Sequence, residues 1–280
     1  MYRKIKKLLC IILILSFAIP TLGGCRFANN SANNKISDTQ ICLDTFATIT
    51  LYQCNDAKIL ENAFSLIKKY ENIFSRTNPD SEVYQINHSD ASSFTVSPEL
   101  AELLAIAQEY SELTEGAFDY SIGSVSSLWD FKSEEKSVPA NSSIENGLAH
   151  VDYHNFSLNG TVLTRSDADS QLEFGGIAKG YIADKVKDYL LEQGVTSAII
   201  NLGGNILCVG KKPDGSAFNI GVEVPFSEKT ELITTLEVDD GTVVTSGIYQ
   251  RYFETSEGFY HHILNPETGY PAENNLTSVT

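Results

Sequence analysis

A glycine-rich stretch over residues 173–184 carries the densest group of chemically useful residues in the chain. It reads Glu-Phe-Gly-Gly-Ile-Ala-Lys-Gly-Tyr-Ile-Ala-Asp, and it lies between a strand-like segment and a helical apolar pattern that ends at Gly194. Glycines at such a junction let the backbone approach a ligand closely, and the open N–H groups of a helix start suit a phosphate. Lys179 would add a mobile cation. Because the stretch matches neither the P-loop nor Gly-x-Gly-x-x-Gly, by itself it favours a tight turn with one solvated lysine.

Two adjacent histidines mark a second dense stretch, over residues 260–271. It reads Tyr-His-His-Ile-Leu-Asn-Pro-Glu-Thr-Gly-Tyr-Pro, a short strand that runs into a stiff turn. Neighbouring residues of a strand point to opposite faces, so at most one of His261 and His262 serves a given site. Functional sites often form at strand ends beside such turns. The pattern is equally compatible with a catalytic and a structural histidine.

The N-terminus reads as a targeting segment rather than as part of the fold. Four basic residues among the first seven precede an apolar run over residues 8–20, which is too short to span a membrane as a mature helix. Leu22-Gly23-Gly24-Cys25 then resembles a bacterial lipoprotein box. We expect a lipoprotein signal peptide over residues 1–24 and a lipid on Cys25. The alternative is an ordinary secretory signal with an incidental cysteine.

The charge balance excludes some classes of partner. The first 24 residues hold four basic and no acidic residues, so the remaining chain carries 16 basic against 36 acidic residues, a net charge of −20. Such a surface repels nucleic acid and anionic lipid. A protein of this charge that handles a phosphate ligand needs a local positive site or a bound metal.

The cysteines do not indicate a disulfide framework. Once Cys25 is assigned to the lipid and Cys10 to the signal peptide, three cysteines remain, an odd number. A pair between Cys42 and Cys54 is compatible with the sequence but nothing requires it.

Hydrophobic periodicity and turn residues predict an α+β fold. Helices are expected over 57–74, over 98–114 and after the glycine-rich stretch, with Ser81 capping a shorter helix, while 133–146 reads as a polar surface loop. Short strands are mixed with these helices without regular βαβ alternation. We therefore predict a signal peptide over 1–24, a flexible tether over 25–40 and one domain over 41–280. The expected strands are 41–52, 151–158, 162–165, 171–174, 197–202, 206–209, 218–224, 232–238, 243–246, 249–254 and 260–264.

Seven motifs occur in one order, and that order resembles the ApbE family of bacterial FAD:protein FMN transferases, which are flavin-transferase lipoproteins. The resemblance runs from about Ile41 to Thr280, and it implies a single ApbE-type, T-fold-like α+β domain of mixed, mostly antiparallel sheet with packed helices. The motifs are Leu43–Thr45, Ser75–Glu82, Gly116–Asp119, Gly175–Asp184, Asn201–Asn205, Ser246–Tyr252 and His261–Pro271.

The resemblance also implies an activity. In that family FAD is cut at its pyrophosphate, FMN passes to a Thr or Ser hydroxyl of an acceptor flavoprotein, AMP leaves, and Mg²⁺ is required. Such phosphoryl transfer needs charge neutralisation and positioning more than covalent help. The implied partners are flavoprotein subunits of membrane redox complexes, and the implied location is the extracytoplasmic face of the cell membrane.

Site residues follow from the same resemblance, position by position. His262 matches the histidine that would activate the acceptor hydroxyl. Gly175 and Gly176 match the pyrophosphate contact, with Tyr181 against the flavin nucleotide, and the carbonyl of Ala178 matches a magnesium ligand. The remaining matches, which would contact FAD, are Leu43, Thr77, Ala117, Phe118, Asp119 and Ile263.

Three departures from the family pattern bear on these expectations. Leu43 stands where the family often has Met, and Thr77 stands where an aromatic residue is common. The family also continues beyond the position of Thr280 with an Asp-Ala-Leu-x-Thr segment that completes the magnesium site. The sequence therefore reads as C-terminally truncated. If the chain does end at Thr280, weak or absent magnesium binding and little transferase activity are expected of residues 25–280 alone.

Two other functions fit the same residues. An FAD pyrophosphatase would use water in place of the acceptor hydroxyl and release FMN and AMP. A non-catalytic flavin-binding lipoprotein would deliver a nucleotide to a transporter, although two similar βαβ lobes are not evident. Neither the acceptor protein, the oligomeric state nor the oxidation state of the cysteines follows from the sequence.

Overall fold

The fold is that of a computed structural model, which describes residues 34–227 and 231–280. The predicted signal peptide, the predicted lipidation site Cys25 and the first residues of the predicted tether, up to residue 33, lie outside the described residues. In the described part of the chain, no helix is long and apolar enough to cross a membrane.

The described elements alternate between helices and short strands. The helices are α1 (Ala57–Phe74), α2 (Glu82–Asn87), α3 (Pro98–Leu113), α4 (Gly123–Ser126), α5 (Asn141–Leu148) and α6 (Ala178–Glu192). The strands are β1 (Lys35–Cys42), β2 (Thr45–Tyr52), β3 (Ser93–Thr95), β4 (Phe156–Asn159), β5 (Val162–Arg165), β6 (Ala198–Leu202), β7 (Asn205–Val209), β8 (Phe218–Glu223), β9 (Leu232–Val238), β10 (Thr242–Val244), β11 (Ser246–Gly247), β12 (Tyr252–Thr255), β13 (Gly258–His261) and β14 (Ser278–Val279).

A five-stranded antiparallel sheet in the order β1-β2-β6-β7-β10 forms the centre of the fold. On β2, Ala47, Ile49 and Leu51 are fully buried and alternate with partly exposed residues, as a strand with one covered face requires. α1 contacts β1 and α6, and α6 contacts β6 and β7, so these two helices cover that face. The other face packs against the β8–β9 hairpin through Phe218 and Ile220. The α+β prediction is confirmed.

The first hairpin corrects two sequence predictions. β1 pairs with β2 along its whole length, so residues 35–40 are strand rather than flexible tether, because their backbone groups bond to β2. The single strand predicted over 41–52 is divided by a turn at Leu43 and Asp44, whose φ angles are +53° and +59°. Two-residue hairpin turns of this geometry usually contain Asn or Gly, and neither is present at these two positions.

The first helices follow the sequence closely. α1 has the predicted bounds and buries Leu60, Phe64 and Ile67 on one face. The hydroxyls of Ser81 and Ser97 accept N–H bonds at the starts of α2 and α3, as N-caps do. The hairpin predicted around residues 159–160 is formed by β4 and β5.

Other segments differ from their predicted form. The predicted strand over 171–174 is reduced to one bridge between Gln171 and Ile122, because the Asn87 side chain bonds both the N–H and the carbonyl of Leu172 in place of a partner strand. Part of the predicted loop over 133–146 is helix α5, which is anchored by buried Ile144. The strand predicted from residue 151 begins only at Phe156, after a 3₁₀ turn.

A cluster of aromatic side chains holds the C-terminal hairpin β12–β13 on the domain. Trp129 packs against Phe253 and Tyr260, and its indole N–H donates to the Gly269 carbonyl at 2.9 Å. The hydroxyl of Tyr270 donates to Asn141 at 2.6 Å. The turn that follows the paired histidines is therefore fixed from both sides.

Candidate active site at the glycine-rich turn

The glycine-rich stretch forms the entry to α6 and leaves several backbone donors open. The Phe174 carbonyl accepts the N–H groups of Ile177 and Ala178 at 3.0 and 2.8 Å, and no side chain caps the helix. Among the described residues, the N–H groups of Gly176, Lys179 and Gly180 join no backbone hydrogen bond. Open donors at the positive end of a 15-residue helix favour an anion at this turn.

Glycine at both positions of the turn allows close packing by neighbouring side chains. A Cβ at Gly176 would lie 3.2 Å from the Phe118 ring, and one at Gly175 would lie 2.9 Å from Glu173 Oε1. Glu173 in turn accepts the Gly175 N–H at 2.8 Å and forms an ion pair with Arg76. The turn is thus held in place from below while its outer surface is exposed, and Phe118 borders it as the sequence predicts.

Two cationic side chains, Lys179 and Arg251, and the imidazole of His262 converge beside this turn. Burial, and then the charge of Arg251, lower the pKa of Lys179 from its ordinary value. Arg251 donates to the Asp44 carbonyl at 3.0 Å rather than to a carboxylate. Within the described residues, no carboxylate pairs with Lys179 or Arg251. In a chain with a formal net charge of −16, this is a local positive site without an internal counter-ion.

His262 is the third member of this group, and its tautomer follows from its contacts. It lies directly after β13, where its N–H and its Nδ1 face the Arg251 carbonyl at 3.1 and 3.2 Å. A carbonyl only accepts, so Nδ1 carries the hydrogen and Nε2 keeps a free lone pair. Burial lowers the pKa of His262, and the positive charges of Arg251 and Lys179 lower it further. The ring is therefore a neutral base at neutral pH.

His261 has a different environment. It is buried, with 6% of its surface exposed, and its Nδ1 accepts the Ile263 N–H at 3.3 Å. The side chains of the two histidines therefore lie in different environments, as the strand alternation predicts.

The Leu43–Asp44 turn closes another side of the site. The Leu43 N–H donates to Glu71 at 2.8 Å, and the Asp44 carboxylate pairs with Lys132 at 2.6 Å while its carbonyl receives Arg251. A leucine with positive φ is energetically unfavourable and persists only where its surroundings hold it. The backbone conformation at Leu43 is consistent with a functional position.

Several predicted contact residues have other partners in the structure. Both carboxylate oxygens of Asp119 are occupied, one by Ser121 and one by the Tyr153 N–H, and burial raises the pKa of this carboxyl. Tyr181 is in the core, where its hydroxyl donates to Glu102 at 2.7 Å. Of the others, Thr77 and Ala117 are exposed and Ile263 is half-buried. Their roles toward FAD stay predictions.

Residues 43–280 match the ApbE family. The chain belongs to the ApbE family. Its fold matches the crystal structure of the ApbE protein of Thermotoga maritima with a TM-score of 0.80 and 31% identity, covering 88% of this chain and 80% of that one. It also matches the flavin transferase ApbE of Vibrio cholerae with a TM-score of 0.77 and 26% identity over the same shares. The sequence-based identification of an ApbE-type domain is confirmed.

Curated relatives of this ApbE chain carry one description. An FAD:protein FMN transferase of Klebsiella pneumoniae is 40% identical over 168 residues, which is 59% of this chain and 51% of the relative. One of Treponema pallidum is 32% identical over 180 residues, 59% of this chain and 50% of the relative. The chain thus spans about half the length of the curated relatives it matches.

Three residues that border the turn have no specific role in the sequence-based prediction. Lys179 is predicted only as a mobile cation, and neither Arg251 nor Asn205 has a predicted role. Asn205 begins β7, and its amide nitrogen would lie 3.9 Å from a Cβ at Gly180. Arg251 lies opposite His262 across the β12–β13 pair, and this position can be inferred only once the pairing of the two strands is known.

Proposed function

We propose that this ApbE-family chain transfers FMN from FAD to a Thr or Ser hydroxyl of an acceptor flavoprotein and releases AMP. The observation that carries the proposal is the convergence of Lys179, Arg251 and His262, without a carboxylate partner, on the open backbone donors of the glycine-rich turn. A pyrophosphate would supply the missing negative charge. The shared family and the description of the curated relatives support FAD as its source.

In this reaction the chain would accept the proton of the acceptor hydroxyl and would bind the pyrophosphate of FAD. The hydroxyl oxygen of the acceptor bonds to the phosphorus of the FMN half as the bond from that phosphorus to the AMP oxygen breaks. His262 Nε2 takes the hydroxyl proton, for which its low pKa and its fixed tautomer suit it. Lys179 and the open N–H groups bind the pyrophosphate oxygens and stabilise the charge that develops on them.

Magnesium fits this site only together with the nucleotide. Among the described residues, the one group of three His, Cys, Asp or Glu whose ligand atoms lie within 4.8 Å of one another is elsewhere, at His150. Glu173 is occupied by Arg76 and the Gly175 N–H. We propose that Mg²⁺ binds through the Ala178 carbonyl, phosphate oxygens of FAD and water, since Mg²⁺ often binds through few protein ligands plus substrate phosphates. When bound it would neutralise phosphate charge.

The test uses the full chain, FAD, Mg²⁺ and a flavoprotein acceptor domain, with in-gel flavin fluorescence as the readout. Wild type should label the acceptor and release AMP, at the low rate expected of residues 25–280, and His262→Ala should lose labelling while FAD affinity stays within about twofold. His154→Ala is the matched control, because that histidine is exposed and lies outside the site. Equal labelling by wild type and His262→Ala would refute the assignment of the base.

The same assay separates the competing functions. Free FMN that accumulates at a rate no acceptor increases would indicate an FAD pyrophosphatase. FAD binding without AMP release, unchanged by His262→Ala, would indicate a flavin-binding protein. That second class is disfavoured because the described sheets pair antiparallel throughout, unlike βαβ lobes.

Magnesium binding has its own test. Isothermal titration should detect Mg²⁺ binding at the site in the presence of FAD and none there in its absence.

We further propose that Cys25 carries a lipid that keeps the domain on the extracytoplasmic face of the membrane, near flavoprotein subunits of redox complexes. Retention of wild type, and release of Cys25→Ser, in a membrane fraction would support that location.

A further inference from the structure

A second group of metal-ligating side chains lies apart from the residues of the glycine-rich turn. His150 follows α5, and Asp167 and Asp169 lie in the loop after β5. His150 Nδ1 is 2.8 Å from Asp167 Oδ2, and His150 Nε2 is 3.9 Å from Asp169 Oδ2. One imidazole therefore lies between two carboxylates that come from one loop.

The contacts of Asp167 determine which ring nitrogen is free. Its Oδ1 accepts the Asp169 N–H at 3.0 Å, and its Oδ2 faces His150 Nδ1. An ionised carboxylate only accepts, so Nδ1 carries a hydrogen and Nε2 is directed at Asp169. A lone pair and a carboxylate oxygen face each other here across 3.9 Å, and a metal ion that binds both could lie between them.

The loop that presents these groups is held firmly. The Ser170 hydroxyl donates to the His150 carbonyl at 2.6 Å and accepts from Asn155 at 2.9 Å. The buried Arg165 guanidinium donates to the Ser170 carbonyl at 3.3 Å. Asp169 differs from its neighbours: its side chain is 77% exposed, and its carboxylate makes no other hydrogen bond among the described residues.

A polar cleft borders His150 and Asp169. It has a volume of about 490 Å³, and His150 and Asp169 form part of its wall together with Ser143, Asn146 and Gln171. The cleft has room for water, and hydroxyl and amide groups line its wall. A metal held by two protein ligands could complete its coordination shell there.

We propose that His150 Nε2 and Asp169 bind a divalent transition-metal ion of the zinc class, with Asp167 as the positioning residue that orients the imidazole. A carboxylate bonded to the far nitrogen of a ligating histidine is the usual arrangement in such sites. Ligands about 2.1 Å from zinc lie roughly 3.0–3.5 Å apart, so the exposed Asp169 side chain closes the gap by moving less than about 1 Å. The imidazole favours zinc, nickel or copper over magnesium. The site goes beyond the proposed flavin transfer and does not depend on it.

The test is a titration of the full chain with Co²⁺ and Zn²⁺, in excess Mg²⁺ and without FAD. Wild type should bind one ion through nitrogen and oxygen ligands, as reported by Co²⁺ d–d absorption without the thiolate charge-transfer bands of a cysteine site. His150→Gln and Asp169→Asn should each weaken this binding at least tenfold, and Asp167→Asn should weaken it roughly 10- to 100-fold through loss of orientation.

His154→Gln is the matched control. His154 Nδ1 also pairs with an aspartate, Asp152, at 2.7 Å, but the structure records no second carboxylate beside its ring. Asp169→Asn should fold normally because its side chain is exposed, which keeps the test valid if His150→Gln is unstable. Equal binding by wild type and Asp169→Asn, or an equal loss in Asp169→Asn and His154→Gln, would overturn the proposal. FMN transfer by Asp169→Asn should match wild type, so failure of the transferase assay leaves this test unaffected.

Discussion

Replacing Lys179 with methionine should stabilise the ligand-free protein and weaken its binding of FAD at the same time. Lys179 is half-buried beside Arg251, and no carboxylate among the described residues compensates its charge. A structural lysine would show the opposite sign, because it would be paired in the free protein. The combination of the two effects therefore distinguishes an anion-binding residue from a structural one.

The sign of the stability effect follows from the pKa. The pKa of Lys179 is lower in the folded protein than in the unfolded chain, so the folded state holds this proton less tightly. At a pH below both pKa values both states are protonated, and the charge destabilises the fold by a constant amount. That cost disappears only as the pH rises through the folded pKa toward the unfolded value. Methionine keeps the side-chain length and removes the charge.

The magnitudes are small for stability and large for binding. After allowance for solvent screening, we expect a gain of roughly 0.5–1 kcal/mol in the free energy of unfolding, or about 1–4 °C in Tm. The loss of one charged hydrogen bond to a phosphate costs about 1.5–3 kcal/mol, which is roughly 10- to 150-fold in the Kd for FAD. Calorimetry and flavin-fluorescence titration measure the two quantities.

Lys187→Met is the matched control on the same helix. Lys187 is paired with Asp240 at 2.8 Å, so its removal should leave FAD affinity unchanged and should not raise Tm. A Kd for FAD in Lys179→Met within twofold of wild type, or a fall in its Tm as large as that of Lys187→Met, would refute the reasoning about an uncompensated cation.

Three further predictions concern the base and the elements that hold the site. The transfer rate should rise with pH through a pKa below 6.5 and then level off, because His262 must lose its proton to act and burial lowers its pKa; a pH–rate profile measures this, and a rate that falls over that range would contradict it. Trp129→Phe leaves the Gly269 carbonyl without its 2.9 Å donor and should cost about 1–3 kcal/mol in denaturant unfolding. Gly203→Ala should destabilise more than Gly160→Ala by roughly 1–3 kcal/mol, since both have positive φ but only a Cβ at position 203 would clash with a side chain, that of Thr45. Equal denaturant midpoints for the two variants would contradict that difference.

Segments whose structure depends on their own periodicity are predictable from the sequence. The helix over 57–74 has the predicted bounds because its apolar residues recur at helical spacing, and Ser97-Pro98 starts α3 because both residues suit a helix start. Two segments that are held by remote side chains differ from their predicted form. Residues 171–174 alternate like a strand, yet Asn87 takes the place of the partner strand. The Leu43–Asp44 turn has neither glycine nor asparagine at its centre and is held by Glu71 and Arg251.

The site divides in the same way. The order of its motifs, the glycines at the turn and the opposite orientation of His261 and His262 follow from the sequence, because each rests on local chain order or backbone geometry. Only the tertiary structure decided that Lys179, Arg251 and His262 meet without a counter-ion, and that His150 lies between two carboxylates. Electrostatic energy depends on distance in space and on burial, and residues from separate elements acquire both only when the strands and helices pack.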